Sequence, residues 1–542
     1  MMEPLLLTAF LSFIVIVIGA VRRRRSGSLD NIRGPPSPSW LHGHGVALTR
    51  QNEVGELDFQ WMKEYGATWR IGGHLGTQQL MTADPKALQH IFMKSGYNYG
   101  KRKDLLLLTE MFLGPGIVAV EGEQHHRHRK IMNPAFSAPQ LRSFLSLFQD
   151  VGLKMCEKLK PEVEGDPDKT VFINKWLART TLDIIGQAAF DYDYGGLSDK
   201  ESPLMKAYSG LFLDAALYPS KWLILYRSLW NYLPDFLLRI VPYTPIKSHT
   251  SARRMARTVQ RIGRELFSQK TREVLSSGQT DTPKDVLSIL IKANSSEDPK
   301  TQLADDEMIA EMQTLTFAGH ETTASTMSWM LYELAKHPDY QAKMRAEIKA
   351  ARQAMLARGV SRFTMEDLDS MTAVMNAIKE TLRFHPIVFN IQRCAVKDDI
   401  LPLSEPIITT TGEEIHAIPI KAGQWFNVSV AGYNRLRSVW GEDADEWNPD
   451  RFLRIDPTKQ IRVGVFGNLM TFSAGVRGCI GWRFSLIEMQ ALTVELLENF
   501  EFAPPKEDYD IVRLPAGVMV PIVRDKLYEL GSVMPLRVSV IQ

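Results

Sequence analysis

The chain has 542 residues, with 64 Lys and Arg against 62 Asp and Glu, and its net charge of +2 supplies no electrostatic argument for binding nucleic acid. A content of 44% hydrophobic and 23% charged residues is that of a folded protein, not a disordered one. Three cysteines, Cys156, Cys394 and Cys479, make neither a disulfide framework nor a zinc cluster and suit a reducing compartment.

Leu5 to Val21 is seventeen residues without a charge, followed at once by Arg22 to Arg25. At ~1.5 Å per residue a helix there is about 25 Å long, the short end of a membrane span. A cleaved signal peptide carries its basic residues before the apolar run. Here they follow it, so residues 1–25 are expected to be an uncleaved transmembrane anchor with Arg22 onward in the cytosol. In residues 26–45, Pro35, Pro36 and Pro38 predict a stiff spacer. Residues 46–542 are read as one catalytic domain, since no linker, repeat or long low-complexity segment breaks them. Asn294 and Asn427 each open a glycosylation sequon, which a cytosolic domain would leave unused.

Short apolar runs broken by Gly72, Gly73 and Gly76 predict a hairpin over Trp69 to Met81, and a helix follows Pro85. A second helix over Glu123 to Met132 puts His125, His128 and Arg129 close to one face, open to a metal-site or a solvated basic-face reading. Leu141 to Lys160 and Val171 to Phe190 read as two further helices. From Leu211 to Tyr243 the chain is rich in aromatic and apolar residues, which either pack in a core or lie in a membrane interface. Ser251 to Ser276 reads as a charged surface helix. Leu303 to Lys336 is a long helix whose first turn carries Asp305, Asp306 and Glu307 and whose end is set by His337 and Pro338. Its middle, Ala318 to Thr323, breaks the apolar pattern with Gly319, Glu321, Thr322 and Thr323. A carboxylate and two hydroxyls at the centre of a core helix are costly unless satisfied or functional. Met371 to Phe384 is a helix with Glu380 and Arg383 at ion-pair spacing.

The stretch from Phe472 to Gly481 places Cys479 among Gly475, Gly478 and Gly481, just before a helical pattern running to Phe500. A thiolate at a helix N-terminus is expected to have a lowered pKa, glycines allow close approach of a flat ligand, and Arg477 supplies a fixed cation. One thiolate ligand to a haem iron needs these features, although a buried cysteine in a turn is also commonly an inert small hydrophobe.

Phe472, Gly475, Arg477, Cys479 and Gly481 match every fixed position of the haem-binding signature of cytochromes P450, and the chain resembles that family from about Gly34 to Val523. The resemblance implies a mainly α fold with a small β lobe, preceded by one transmembrane helix. It implies one haem b with Cys479 as the axial iron ligand and with Phe472 and Arg477 beside it. His125 and Arg129 align with the Trp-x-x-x-Arg pattern that holds a haem propionate, histidine replacing tryptophan, and Arg393 matches an arginine that reaches a propionate. Glu321 and Thr322 match the acid–alcohol pair that relays protons to dioxygen, with Thr323 the next hydroxyl and Gly319 making room for oxygen. Glu380, Arg383 and Arg451 match the bracing triad of the family, Asp450 standing where glutamate is usual. Ile387, Val388 and Phe389 align with a substrate-contacting strand, and the 211–243 region with the roof of the pocket that touches the bilayer.

The activity so implied is a monooxygenase using O2 and an apolar substrate. No flavin- or NAD(P)H-binding segment follows Val523, so electrons are expected from NADPH–cytochrome P450 reductase, with cytochrome b5 a second candidate donor. The expected location is the endoplasmic reticulum membrane, single-pass, with the catalytic domain cytosolic. The segments at Asn133 to Phe136 and Gly481 to Phe484 resemble fungal, basidiomycete P450s, in which terpenoid or other secondary-metabolite oxidation is common. Alternatives are fatty-acid or xenobiotic hydroxylation, an O2-independent isomerase or dehydratase, and a non-catalytic haem sensor.

Overall fold

The computed structural model describes residues 29–198, 219–276 and 285–541, and its longest helix is Asp305–Lys336, at 32 residues. The expected anchor, its basic block and residues 211–218 lie outside the described residues. Among the described residues no helix is long and apolar enough to cross a membrane. The Glu307 carboxylate accepts from the Ala304 N–H at 2.9 Å and so satisfies a free donor at the start of this central helix. The helix packs against Ile173–Phe190, Thr372–Phe384 and Trp482–Asn499, so its middle lies inside the molecule.

Among the described residues helices dominate, and the strands form four small sheets. The largest has five strands in the order Thr68–Gly72, Gln78–Thr82, Trp425–Ser429, Asn390–Ala395, Tyr99–Gly100. Its first two strands are the expected hairpin, with Trp69 opposite Met81. A hairpin of Ile511–Ala516 and Val518–Val523 reaches the central helix, and its Met519 N–H donates to the carbonyl of Ile387, just beyond the helix Thr372–Phe384, at 2.8 Å.

Several boundaries differ from the expectation. The helix expected from Leu141 divides at Phe144 into Ala138–Ser143 and Leu145–Val163. Val171 belongs to the strand Thr170–Phe172 and pairs with Leu536, a partner more than 360 residues away that no local pattern can show. The expected spacer is packed down: Leu29 and Ile32 are core residues, and the Arg70 N–H donates to the Arg33 carbonyl at 2.9 Å. Gly34 lies so close to the first strand that a Cβ there would sit 1.9 Å from the Arg70 carbonyl oxygen. The two readings of the aromatic segment divide by residue. Trp230 and Tyr232 are buried, whereas Trp222, Phe236 and Tyr243 are 72%, 67% and 74% exposed. The Asn427 side chain is buried and donates to Gln79 at 2.6 Å, which closes that sequon in the folded state.

Candidate functional site

The Cys479 loop is shaped by backbone contacts. The Cys479 N–H donates to the Phe472 carbonyl at 2.8 Å, so Phe472 contributes to the loop through its main chain. Gly475 has φ +61°, and a Cβ on it would lie 1.8 Å from the Phe92 carbonyl oxygen, so only glycine fits. The Arg129 Nη1 donates to the Gly478 carbonyl at 2.8 Å and ties the basic helix Gly122–Met132 to this loop. Cys479 keeps accessible surface, yet burial pushes its thiol above the ordinary range. The Gly481 N–H and the Arg129 cation pull the other way without prevailing, which corrects the expectation of a lowered pKa for the free thiol. A coordinating metal removes that proton outright.

Around the loop the structure gathers four cations, Lys101, Arg129, Arg393 and Arg477. Arg477 pairs with Glu121, while the other three have no carboxylate ion pair among the described residues. Among the described residues Arg129, Arg393 and Lys101 bond only main-chain carbonyls, of Gly478, Gln392 and Val118. The Arg477 Nε is buried without a partner among the described residues. Burial, then the neighbouring arginines Arg477 and Arg393, push Lys101 down to about 7, and burial and Arg477 push Arg393 down to about 10. His125 lies in the same field and is pushed down to about 3 by burial and then by Arg477, Lys101 and Arg129. It is therefore neutral, and its Nδ1 pairs with the Tyr97 hydroxyl at 2.9 Å. A buried excess of positive charge requires anions. A haem, with two propionates and an iron that takes Cys479, fits this set of residues.

The histidine pair of the basic helix does not form a metal site. His128 turns from His125 to the central helix, with Nδ1 2.5 Å from the Glu311 Oε1 and Nε2 3.3 Å from the Glu307 Oε1. Among the described residues no cluster of three His, Cys, Asp or Glu side chains is placed to hold a metal. On the central helix, Thr323 to Leu331 are buried, whereas Glu321 and Thr322 keep accessible surface. The Thr322 hydroxyl donates to the Ala318 carbonyl at 2.8 Å, and the Glu321 Oε2 lies 3.4 Å from His320 Nε2. Gly319 is a packing notch: a Cβ there would lie 2.8 Å from Ile185. Ile387, Val388 and Phe389, expected in a strand, lie in a bend just before the strand Asn390–Ala395, with Val388 exposed and Ile387 and Phe389 buried.

The triad is assembled at the core. Arg383 makes two 2.8 Å bonds to Glu380, both side chains are inaccessible, and Arg451 Nε lies 3.3 Å from the same carboxylate. Arg383 also donates to the carbonyls of Asn434, Ala444 and Glu446, and Arg451 to those of Trp440, Asp443 and Glu446. Two guanidinium groups thus organise the 434–448 segment. Asp450 takes no part and pairs with Lys343 at the surface, while the carboxylate that engages Arg451 beside Glu380 is that of Asp443. Sequence reasoning missed Asp443, Lys101, Tyr97 and Glu121, because each meets its partner only through the fold.

The family model for cytochrome P450 matches residues 33–528. Cytochrome P450 monooxygenase 205 of Postia placenta is 33% identical, covering 94% of this chain and 93% of that protein. Monooxygenase 81 of the same fungus is 35% identical over 90% of each chain. The ganoderic acid synthetase of Ganoderma lucidum is 33% identical over 88% of each. With the cysteine loop, the cation cluster and the buried triad, these likenesses show that the chain is an enzyme and belongs to the cytochrome P450 family.

Proposed function

We propose that the protein inserts one oxygen atom from O2 into an apolar organic substrate, a terpenoid or another secondary metabolite, with electrons from NADPH–cytochrome P450 reductase at the endoplasmic reticulum membrane. The observation that supports oxygenation most directly is that Glu321 and Thr322 keep accessible surface beside a run of buried residues. When bound through Cys479, haem supplies an iron centre able to activate dioxygen. Arg129, Arg393, Arg477, Lys101 and the neutral His125 would hold its propionates. Thr322 spends its proton on the Ala318 carbonyl, so its oxygen is left to accept from a water or a protonated neighbour and to orient that proton. Glu321 can take up a proton and pass it on. Small-molecule pockets are lined mainly by apolar side chains, which exclude bulk water and favour an apolar substrate.

The exposed aromatics Trp222, Phe236 and Tyr243, with Ile240 and Trp40, support membrane contact. The His42 and Trp222 rings meet edge-on at 6.4 Å, which joins the N-terminal segment to this surface. Trp222 and Ile240 stand beside Lys221 and Arg239, a composition suited to a lipid headgroup zone.

Co-expression with the reductase and a panel of terpene scaffolds tests the reading. The expected result is a product that requires NADPH and carries one atom from isotopically labelled dioxygen. Turnover without NADPH and O2 overturns it in favour of an O2-independent rearrangement.

A further inference from the structure

Glu311, Thr314, Ala318 and Thr322 stand at i, i+3, i+7 and i+11 on the central helix and share one face. The near end of that face is covered by the loop 114–121. The Ile117 N–H donates to the Glu311 Oε1 at 2.7 Å. Just before it the loop lies flat on the helix. A Cβ on Gly114 would lie 3.0 Å from that of Ala310, and one on Gly116 would lie 2.7 Å from the Thr314 Oγ1 and 3.0 Å from the Ala310 carbonyl. Glu311 is held in turn by His128, whose second nitrogen faces Glu307, itself paired with Arg127. Beyond Ile117 the loop is fixed to the cation cluster, since Lys101 donates to the Val118 carbonyl and Glu121 pairs with Arg477. One end of this loop is therefore pinned to the proposed haem edge and the other to the face that carries Thr322.

We propose that Glu311 is a positioning residue which, braced by His128, pins the 114–121 loop as a wall of the substrate chamber and thereby sets which substrates fit. Ile117 is the pinned residue, and Val118, beside it, is exposed. Burial pushes Glu311 above the ordinary carboxylate range, and its Oε2 has no partner among the described residues, so the group is retained at a cost that a purely apolar contact would avoid. Without the Glu311 acceptor the Ile117 N–H would be left unsatisfied, and the loop would lift toward solvent.

The inference rests on the haem-thiolate reading, and the test separates the two. The haem-loaded enzyme and its variants are titrated with imidazole and with clotrimazole, a small and a bulky nitrogen ligand of the iron, followed by the Soret shift. Glu311→Ala is expected to change clotrimazole affinity by about tenfold or more, the scale on which pocket-shape changes act, while the imidazole affinity and the carbon monoxide spectrum stay as in wild type. Glu311→Gln keeps a carbonyl for the Ile117 N–H and should restore most of the clotrimazole affinity. Gly116→Ala lifts the loop without touching Glu311 and should reproduce the Glu311→Ala result. Unchanged affinity for both ligands in Glu311→Ala, or equal losses for both, overturns the proposal. Should Glu311→Ala fail to hold haem, unchanged clotrimazole binding in Gly116→Ala overturns it instead. Absence of any Soret response in the wild-type protein would count against the haem-thiolate reading, not against the loop.

Discussion

Thr322 illustrates how much one hydroxyl can decide. Its proton is committed to the Ala318 carbonyl, so its role rests on the lone pairs of its oxygen. Thr322→Ala leaves the Cys479 loop and the cation cluster untouched. We expect haem content and apolar ligand binding to survive while NADPH consumption shifts from product to hydrogen peroxide, measured as peroxide released per NADPH. Wild-type coupling in the variant would move the role to Thr323 or to water. Cys479→Ala should abolish the thiolate-specific carbon monoxide spectrum, and its persistence would point to Cys156 or Cys394. Asp58 is a residue whose cost can be isolated. It is buried, accepts a 2.6 Å bond from Ser429, and leaves its Oδ1 without a partner among the described residues. Burial raises its carboxyl from 3.8 to about 6. The folded state therefore binds more protons than the unfolded chain between these values, and stability falls as pH rises from about 4 to about 6. Two units correspond to about 3 kcal/mol. Asp58→Asn should match wild type near pH 4 and melt at a higher temperature above pH 6. A variant no more stable than wild type at pH 7 would show that Asp58 is not held in this way.

At the scale of elements, the helix Thr372–Phe384 matters through what Glu380 and Arg383 hold outside it. Removing one partner of a buried ion pair costs about 3–5 kcal/mol, because the other charge is left uncompensated. Glu380→Gln should therefore yield little haem-loaded protein. Asp450→Asn, which breaks only a solvent-exposed pair with Lys343, should behave like wild type. Comparable carbon monoxide difference spectra in the two variants would refute the buried-triad account. The same contrast explains what could be read from sequence. Motifs that are local in sequence, such as Phe472 to Gly481, Glu380 with Arg383, and Glu321 with Thr322, were visible because their spacing survives folding. The helices around them were visible through periodicity. Glu121 on Arg477 and Glu311 on Ile117 and His128 were not, because each partner comes from a distant element, and Asp443, only eight residues before Arg451, was not because it lies in an irregular turn with no periodic pattern. Gly319 carries the same lesson, since its reason is Ile185 on a neighbouring helix. The break at Phe144 and the strand at Val171 were missed because a continuous apolar pattern does not reveal where a distant strand will pair.

The segment 219–243 exposes Trp222, Phe236, Ile240 and Tyr243, while the N-terminal segment that meets it at His42 and Trp222 exposes Trp40 and enters the core at Leu29 and Ile32. Truncation should therefore have two outcomes according to where it stops. Deleting residues 1–25 leaves Leu29, Ile32 and the contact of Gly34 with Arg70 in place, so the haem spectrum should be retained. Deleting residues 1–45 removes both core side chains, each worth about 1.5–3 kcal/mol when buried, together with the bond from Arg70 to Arg33, and should lower the melting temperature sharply. If the aromatic face lies in lipid, the 1–25 deletion keeps part of its affinity for vesicles, and adding Trp222→Ser, Phe236→Ser and Tyr243→Ser removes the remainder without loss of haem. Vesicle flotation of the three proteins measures this. Complete release by the 1–25 deletion alone would mean that the exposed aromatics make no membrane contact, and substrate entry from the lipid side would lose its support.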